Sequence, residues 1–197
     1  MPSLLLGAAV VIVAIFLILR SDVGTPPVVR GVLAPAFELP QLEASVGNES
    51  AGSSDAADVT NGQRIALSSF SGRVVLVNFW ATWCEPCERE MPAMERLYQT
   101  LPREDFELIA VAIDDKEEDV RAFQERYRLS FPILLDLDQA VYGSYQTMGV
   151  PESLLLDRDG RIVERYVGPR EWDAGEYMNR IRELIGDGRR VPPPSSL

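Results

Sequence analysis

Both cysteines of this chain lie in Trp83-Cys84-Glu85-Pro86-Cys87, between an apolar run and an amphipathic stretch. The run, Val74-Val75-Leu76-Val77-Asn78-Phe79-Trp80, reads as a strand buried on both faces. The stretch after it places Met91, Met94 and Leu97 at helical spacing toward a core. A strand therefore delivers two thiols to the start of a helix. Unpaired N–H groups and the positive dipole end favour a thiolate there, the species that attacks disulfides. Three blander readings compete. A structural disulfide closing so short a loop removes little unfolded-state entropy. A zinc site needs about four ligands, whereas the chain offers two cysteines and no histidine. Two inert core cysteines would leave this spacing beside a tryptophan to coincidence. The residues favour redox chemistry.

Composition narrows the field further. A length of 197 residues suits one globular domain with additions, and the hydrophobic fraction supports a full core. The net charge of −11 argues against a nucleic-acid binder, which needs a basic face. Without histidine the chain lacks the usual general base and the commonest metal ligand. Hydrolase triads, imidazole-ligated haem and cysteine–histidine copper sites are disfavoured accordingly. No cofactor or metal is expected.

The N-terminus is a separate element. Leu4 to Leu19 carries no charged or strongly polar side chain, and Arg20 closes the run. As a helix it rises about 24 Å, short of a roughly 30 Å hydrocarbon core unless Pro2, Ser3 and a snorkelling Arg20 extend it. An uncleaved anchor and a cleaved signal peptide are the two functional readings. Small-x-small cleavage signals after Leu19 are poor, and Ala34-Pro35-Ala36 lies too far downstream, which favours an anchor. Charge asymmetry points the other way for topology. No Lys or Arg precedes the run, whereas Arg20 and Arg30 follow it; taken literally, the C-terminal domain would stay in the cytoplasm.

The pattern divides the chain into an anchor at 1–20, a tether at 21–33, a domain at 34–187 and a proline- and serine-rich disordered tail at 188–197. Within the domain, 43–63 is polar and acidic with little to bury, as expected of a surface loop. Short strands are expected at Ala36–Leu39 and Arg64–Leu67, and buried ones at Arg73–Ala81 and Phe106–Ile113. A helix opens at Cys84 and runs to about Leu101, with a kink expected at Pro92. Asp114 to Asp119 reads as a solvated charge run leading into a helix to Tyr127, with Val120, Phe123 and Tyr127 on one face. A strand at Phe131–Leu135 and a helix at Gln139–Met148 follow. Ser153–Leu156 and Arg161–Val167 form a hairpin about Asp157-Arg158-Asp159-Gly160. Glu171–Ile185 is a last amphipathic helix, with Tyr177, Ile181 and Leu184 inward and Trp172 read as packing. Such alternation, ending in a hairpin and a helix, predicts an α/β fold: a mixed central sheet with helices on both faces.

Asn78-Phe79-Trp80-Ala81-Thr82-Trp83-Cys84-Glu85-Pro86-Cys87, followed by Glu90-Met91-Pro92, resembles the TlpA/ResA-like branch of the thioredoxin superfamily. Gly149-Val150-Pro151-Glu152-Ser153 is similar to the cis-proline segment of the related cytochrome c maturation reductases. The resemblance implies a thioredoxin-like fold in which Glu118–Leu135 is the branch's extra helix–strand insertion. It also implies a membrane-anchored thiol–disulfide oxidoreductase acting outside the bacterial cytoplasmic membrane, which is the reason to set the literal charge reading aside. Its partners would be protein disulfides, with apocytochrome c a candidate, and a thiol-electron donor in the membrane.

On the resemblance, Cys84 is the attacking thiol at the exposed helix start, and Cys87, one turn in, is the more buried resolving thiol. Pro151 is the cis-proline, and Val150 offers backbone to an extended substrate beside the cysteines. Trp83 flanks the site and Trp80 belongs to the core. Glu85 places a like charge beside the developing thiolate, which raises the Cys84 pKa and favours a reductant. Asn78 stands where plain thioredoxins keep a buried aspartate. Glu90 then has two readings: a substitute that tunes or relays the proton, or a solvated helix carboxylate. A disulfide-forming oxidase of the same fold and a redox-inert interaction or chaperone module are the alternatives. A peroxidase of the related class needs a threonine three residues before its cysteine, and Thr82 is two before Cys84.

Overall fold

A computed structural model describes residues 27–42, 63–114 and 116–187. The expected anchor, most of the 43–63 loop and the C-terminal tail lie outside these residues. Among the described residues no helix is long and apolar enough to cross a membrane.

Among the described residues are seven strands, β1 (Glu38–Pro40), β2 (Arg64–Ala66), β3 (Val74–Trp80), β4 (Phe106–Ala112), β5 (Ile133–Leu135), β6 (Glu152–Leu156) and β7 (Ile162–Val167), and four α-helices. These are α1 (Glu85–Thr100), α2 (Glu117–Tyr127), α3 (Ala140–Ser144) and α4 (Gly175–Asp187). β1 and β2 form a small antiparallel pair, while the main sheet has the order β5-β4-β3-β6-β7. β3 is parallel to β4, which is parallel to β5; β6 and β7 run antiparallel. The mixed α/β sheet is the fold the alternation predicts, with the inserted β5 at its edge.

Every residue of β3 and β4 is buried. Side chains alternate between the two faces of a strand, so continuous burial means both faces are covered. Phe79 meets Tyr145 at 5.1 Å between ring centroids, and Trp80, on the opposite face, meets Phe123 of α2 at 4.8 Å. Each buried aliphatic of these strands contributes roughly 1.5–3 kcal/mol relative to exposure, which fixes the frame that carries the cysteines. Helix α1 continues through Pro92, with Cys87, Met91, Met94 and Leu97 on its buried side.

Residues 27–33, the described part of the expected 21–33 tether, lie against the sheet: Val28 is buried, Gly31 N–H donates to Ile162 O at 2.7 Å, and Ile162 N–H donates to Val32 O at 2.9 Å. These backbone bonds give the starting edge of β7 a partner. Three expectations need correction. Helix α3 is five residues long rather than Gln139–Met148, because Gln139 and Gln146 take left-handed backbone at φ 57° and 53°. Helix α4 opens at Gly175 rather than Glu171, and Met178, Ile181 and Ile185 are its buried residues, with Tyr177 and Leu184 half-buried. Asp114 is buried, not solvated.

Candidate active site

The C-terminal end of β3 and the N-terminus of α1 meet at Cys84. Its backbone is extended, as an N-cap residue requires, and its Sγ accepts the Cys87 N–H at 3.2 Å. Cys84 and Cys87 are joined in a disulfide. Cys84 keeps 5 % of its surface and Cys87 none. The order of accessibility follows the sequence reading, but Cys84 is a nearly covered residue rather than an exposed one. Cover comes in part from the segment before β6: Cys84 Sγ lies 3.5 Å from the carbonyl oxygen of Val150, and the Val150–Pro151 bond is cis. Trp83, at 69 % exposure, and Met148, at 93 %, stand open on the two segments that meet here. At the sulfur pair itself, one backbone carbonyl, that of Val150, is turned onto Cys84 Sγ.

Two buried carboxylates hold these segments. Asp114, at the end of β4, accepts Thr82 N–H at 2.9 and 3.1 Å and also the Thr82 hydroxyl, so the β3–α1 turn is tied to the neighbouring strand. Burial lifts its carboxyl above the usual range, and the Thr82 hydrogen bonds oppose the lift. Glu152, directly after Pro151, accepts Met148 N–H at 3.3 Å and pairs with Arg165 at 3.0 Å. Its carboxyl is likewise raised by burial, with the Arg165 charge opposing. Neither was singled out from sequence as a site residue. Glu152 sits in the quoted proline segment, but Asp114 looks like the first member of a charge run.

The acids on α1 differ. Glu85 is at the surface, its side chain 81 % exposed and paired with Arg89 at 2.6 Å. Glu88, also in the first turn, accepts the Tyr127 hydroxyl and pairs with Arg126 at 3.5 Å, both from α2. Glu90, one turn beyond Cys87, is 3 % exposed, which excludes the solvated-carboxylate reading. Its Oε1 accepts Asn78 Nδ2 at 2.9 Å; its Oε2 accepts Arg170 N–H at 3.0 Å and Trp172 Nε1–H at 3.1 Å. Asn78 Nδ2 also donates to Ser153 Oγ at 2.9 Å, linking β3 to β6. Burial pushes the Glu90 carboxyl from the ordinary 4.5 up to about 7, against the hydrogen bonds from Arg170, Trp172 and Asn78 that pull it down. A carboxyl near neutrality can both take and return a proton at physiological pH. Trp172, read from sequence as packing, does pack against Tyr166 and Tyr177, and it also supplies a polar contact. A buried indole N–H needs an acceptor, but which one is invisible in sequence.

Comparison with known proteins agrees with this geometry. Residues 31–165 match the AhpC/TSA family. Thiol-disulfide oxidoreductase ResA of Bacillus cereus (strain ZK / E33L) is 38 % identical over 121 residues, covering 61 % of this chain and 70 % of the relative. The ResA of Bacillus subtilis (strain 168) is 36 % identical over 124 residues, covering 62 % and 69 %. Among solved structures, a Chlorobium tepidum protein described as a thiol:disulfide interchange protein DsbE superposes with a TM-score of 0.62. It is 26 % identical and covers 81 % of this chain and 97 % of its own. With a Cys-x-x-Cys pair on a thioredoxin-like sheet, the chain belongs to the AhpC/TSA family as one of its ResA-like thiol–disulfide oxidoreductases.

Proposed function

We propose that the chain is a reductase of protein disulfides, held at the outer face of a bacterial cytoplasmic membrane by Leu4–Leu19, with apocytochrome c as its candidate substrate. The observation that carries the reading is the Cys84–Cys87 pair at a helix N-terminus, with the Val150 carbonyl 3.5 Å from the more accessible sulfur. In the reduced enzyme Cys84, as thiolate, attacks one sulfur of a substrate disulfide; the substrate S–S bond breaks and a mixed disulfide forms. Cys87 gives up its proton and attacks Cys84 Sγ, closing the Cys84–Cys87 bond and expelling the second substrate thiolate. Two electrons pass to the substrate, whose two sulfurs take up the two protons the dithiol has lost. A thiol-electron donor in the membrane then restores the dithiol. The extended substrate lies against Val150 and Pro151 with Trp83 at its side, and Glu90 takes the proton that Cys87 releases.

Changing Cys87 to Ala leaves attack intact and blocks release. The variant should accumulate reductant-sensitive mixed disulfides on non-reducing gels, and the captured proteins identify substrate or donor. More efficient trapping by Cys84→Ala would reverse the two roles, and no trapping by either would defeat the exchange reading. For placement, alkaline phosphatase fused after Leu197 should be active and the protein should resist carbonate extraction. An inactive fusion would restore the literal charge reading of Arg20 and Arg30.

A further inference from the structure

The two oxygens of Glu90 have partners of different kinds, and the difference decides where a proton can sit. Oε2 faces the Arg170 N–H at 3.0 Å and the Trp172 Nε1–H at 3.1 Å. An amide N–H and an indole N–H can only donate, so neither can receive a proton from Oε2. Oε1 faces the Asn78 amide at 2.9 Å, and the Oδ1 of that amide is buried with no hydrogen-bond partner. Turning the amide over presents Oδ1 to Oε1 as an acceptor. Ser153 Oγ, 2.9 Å from the same amide atom, then donates instead of accepting, as a hydroxyl can. The Oε1 side therefore fits both carboxylate and carboxylic acid, while the Oε2 side fits only an unprotonated oxygen.

We propose that Trp172 is a positioning residue for Glu90: its indole N–H reserves Oε2 as an acceptor, so the proton that Glu90 gains and loses is carried on Oε1, toward Asn78 and Ser153. The functional weight of this rests on the reading that Glu90 serves the dithiol; the geometry does not. Trp172 is suited to the task because it cannot drift: it is fully buried, with Tyr166 at 5.2 Å and Tyr177 at 5.1 Å between ring centroids. The charge facing Glu90 is the Arg170 guanidinium, which favours the carboxylate. Asn78 and Ser153 are neutral, and the cysteines on Glu90's own helix are tied in the disulfide. Beside Trp172, Asp173 is paired with Arg96 at 2.6 Å, and the Arg170 guanidinium lies 6.0 Å from the Tyr166 ring centre.

The test uses the full chain in detergent, oxidised, with 13C-labelled glutamate carboxyls and 15N-labelled indoles. In the wild type the Glu90 carboxyl, assigned by its loss in Glu90→Gln, should titrate near pH 7, and the Trp172 indole N–H resonance should move with the same midpoint. An indole signal indifferent to that titration overturns the proposal without any variant having to fold. Trp172→Phe keeps an aromatic ring and removes the donor; the Glu90 midpoint should rise, with roughly a tenfold gain in proton affinity. An unchanged midpoint also overturns it. The pH profile of disulfide reduction by the same variant separates the two layers. A profile that shifts with Glu90 supports both. A profile that stays while Glu90 shifts leaves Trp172 as the positioning residue and removes Glu90 from the exchange reaction.

Discussion

The outer and inner sides of helix α1 each carry a carboxylate within about one turn of the cysteine pair, and the structure treats them in opposite ways. Glu85 is next to Cys84 in sequence, yet its charge stands in water and is matched by Arg89. Glu90 is three residues from Cys87, yet it is desolvated and held by three donors from β3 and from the segment after β7. Water and counter-charge screen the first, whereas burial preserves the influence of the second. Sequence proximity to a reactive sulfur is therefore a poor measure of electrostatic influence: the residue farther along the helix, Glu90, has its proton affinity raised by burial.

The largest expected effect follows from removing the inner acid. On the proposed relay, Glu90→Gln takes away the group that receives the Cys87 proton, and a positioned general base typically contributes about a hundredfold or more. Resolution of the mixed disulfide should slow by about that factor near pH 7, while its formation by Cys84 stays close to wild type. Stability carries a second signature with a definite sign. A carboxyl whose folded value, about 7, exceeds its ordinary 4.5 holds its proton more tightly in the native state. Its contribution is complete below pH 4.5 and is lost as the pH rises through about 7. That loss is on the order of 3 kcal/mol. Urea unfolding of wild type across this window should show falling stability, and Glu90→Gln should flatten the descent. Some slope should remain, because Glu107, Asp114, Asp136 and Glu152 are also raised by burial. An equal slope in both proteins would mean that Glu90 titrates as an ordinary surface acid.

The same contrast explains what could be read from sequence. Continuous apolar runs made β3 and β4 legible, since only strands covered on both faces tolerate them. The cysteine spacing and the apolar face of α1 made the dithiol legible for the same local reason. Contacts made across the fold were not. Glu90 had two readings from sequence because a helix position does not reveal whether Asn78, Arg170 and Trp172 close over it. Asp114 resembled its charged neighbours until β4 brought it to Thr82, 32 positions away. The Val28–Leu33 stretch lacks strand patterning, but β7 offers it backbone partners. The sequence pattern runs past the ends of helix α3 because two glutamines in left-handed backbone carry no turn signature, whereas the Asp136 carboxylate, accepting Val141 and Tyr142 N–H, helps fix its start.

The smallest expected effect belongs to the outer acid, and it tests whether the reducing character expected from Glu85 survives its exposure. A bare carboxylate beside Cys84 disfavours the thiolate and makes the couple more reducing. Glu85, though, is offset by Arg89 and screened by solvent, so its share of that bias is small. A glutathione-buffered titration of the wild type should give a potential below about −200 mV, nearer thioredoxin than the strongly oxidising periplasmic oxidase. Glu85→Gln should move that value by no more than about 10 mV, and added salt should shrink the difference further. Arg89→Gln, which leaves Glu85 unmatched, should move it slightly toward the reducing side. A wild-type value near −120 mV would favour an oxidase. A shift of several tens of millivolts in Glu85→Gln would show that exposure does not silence the outer acid, and the contrast between the two sides of α1 would fail.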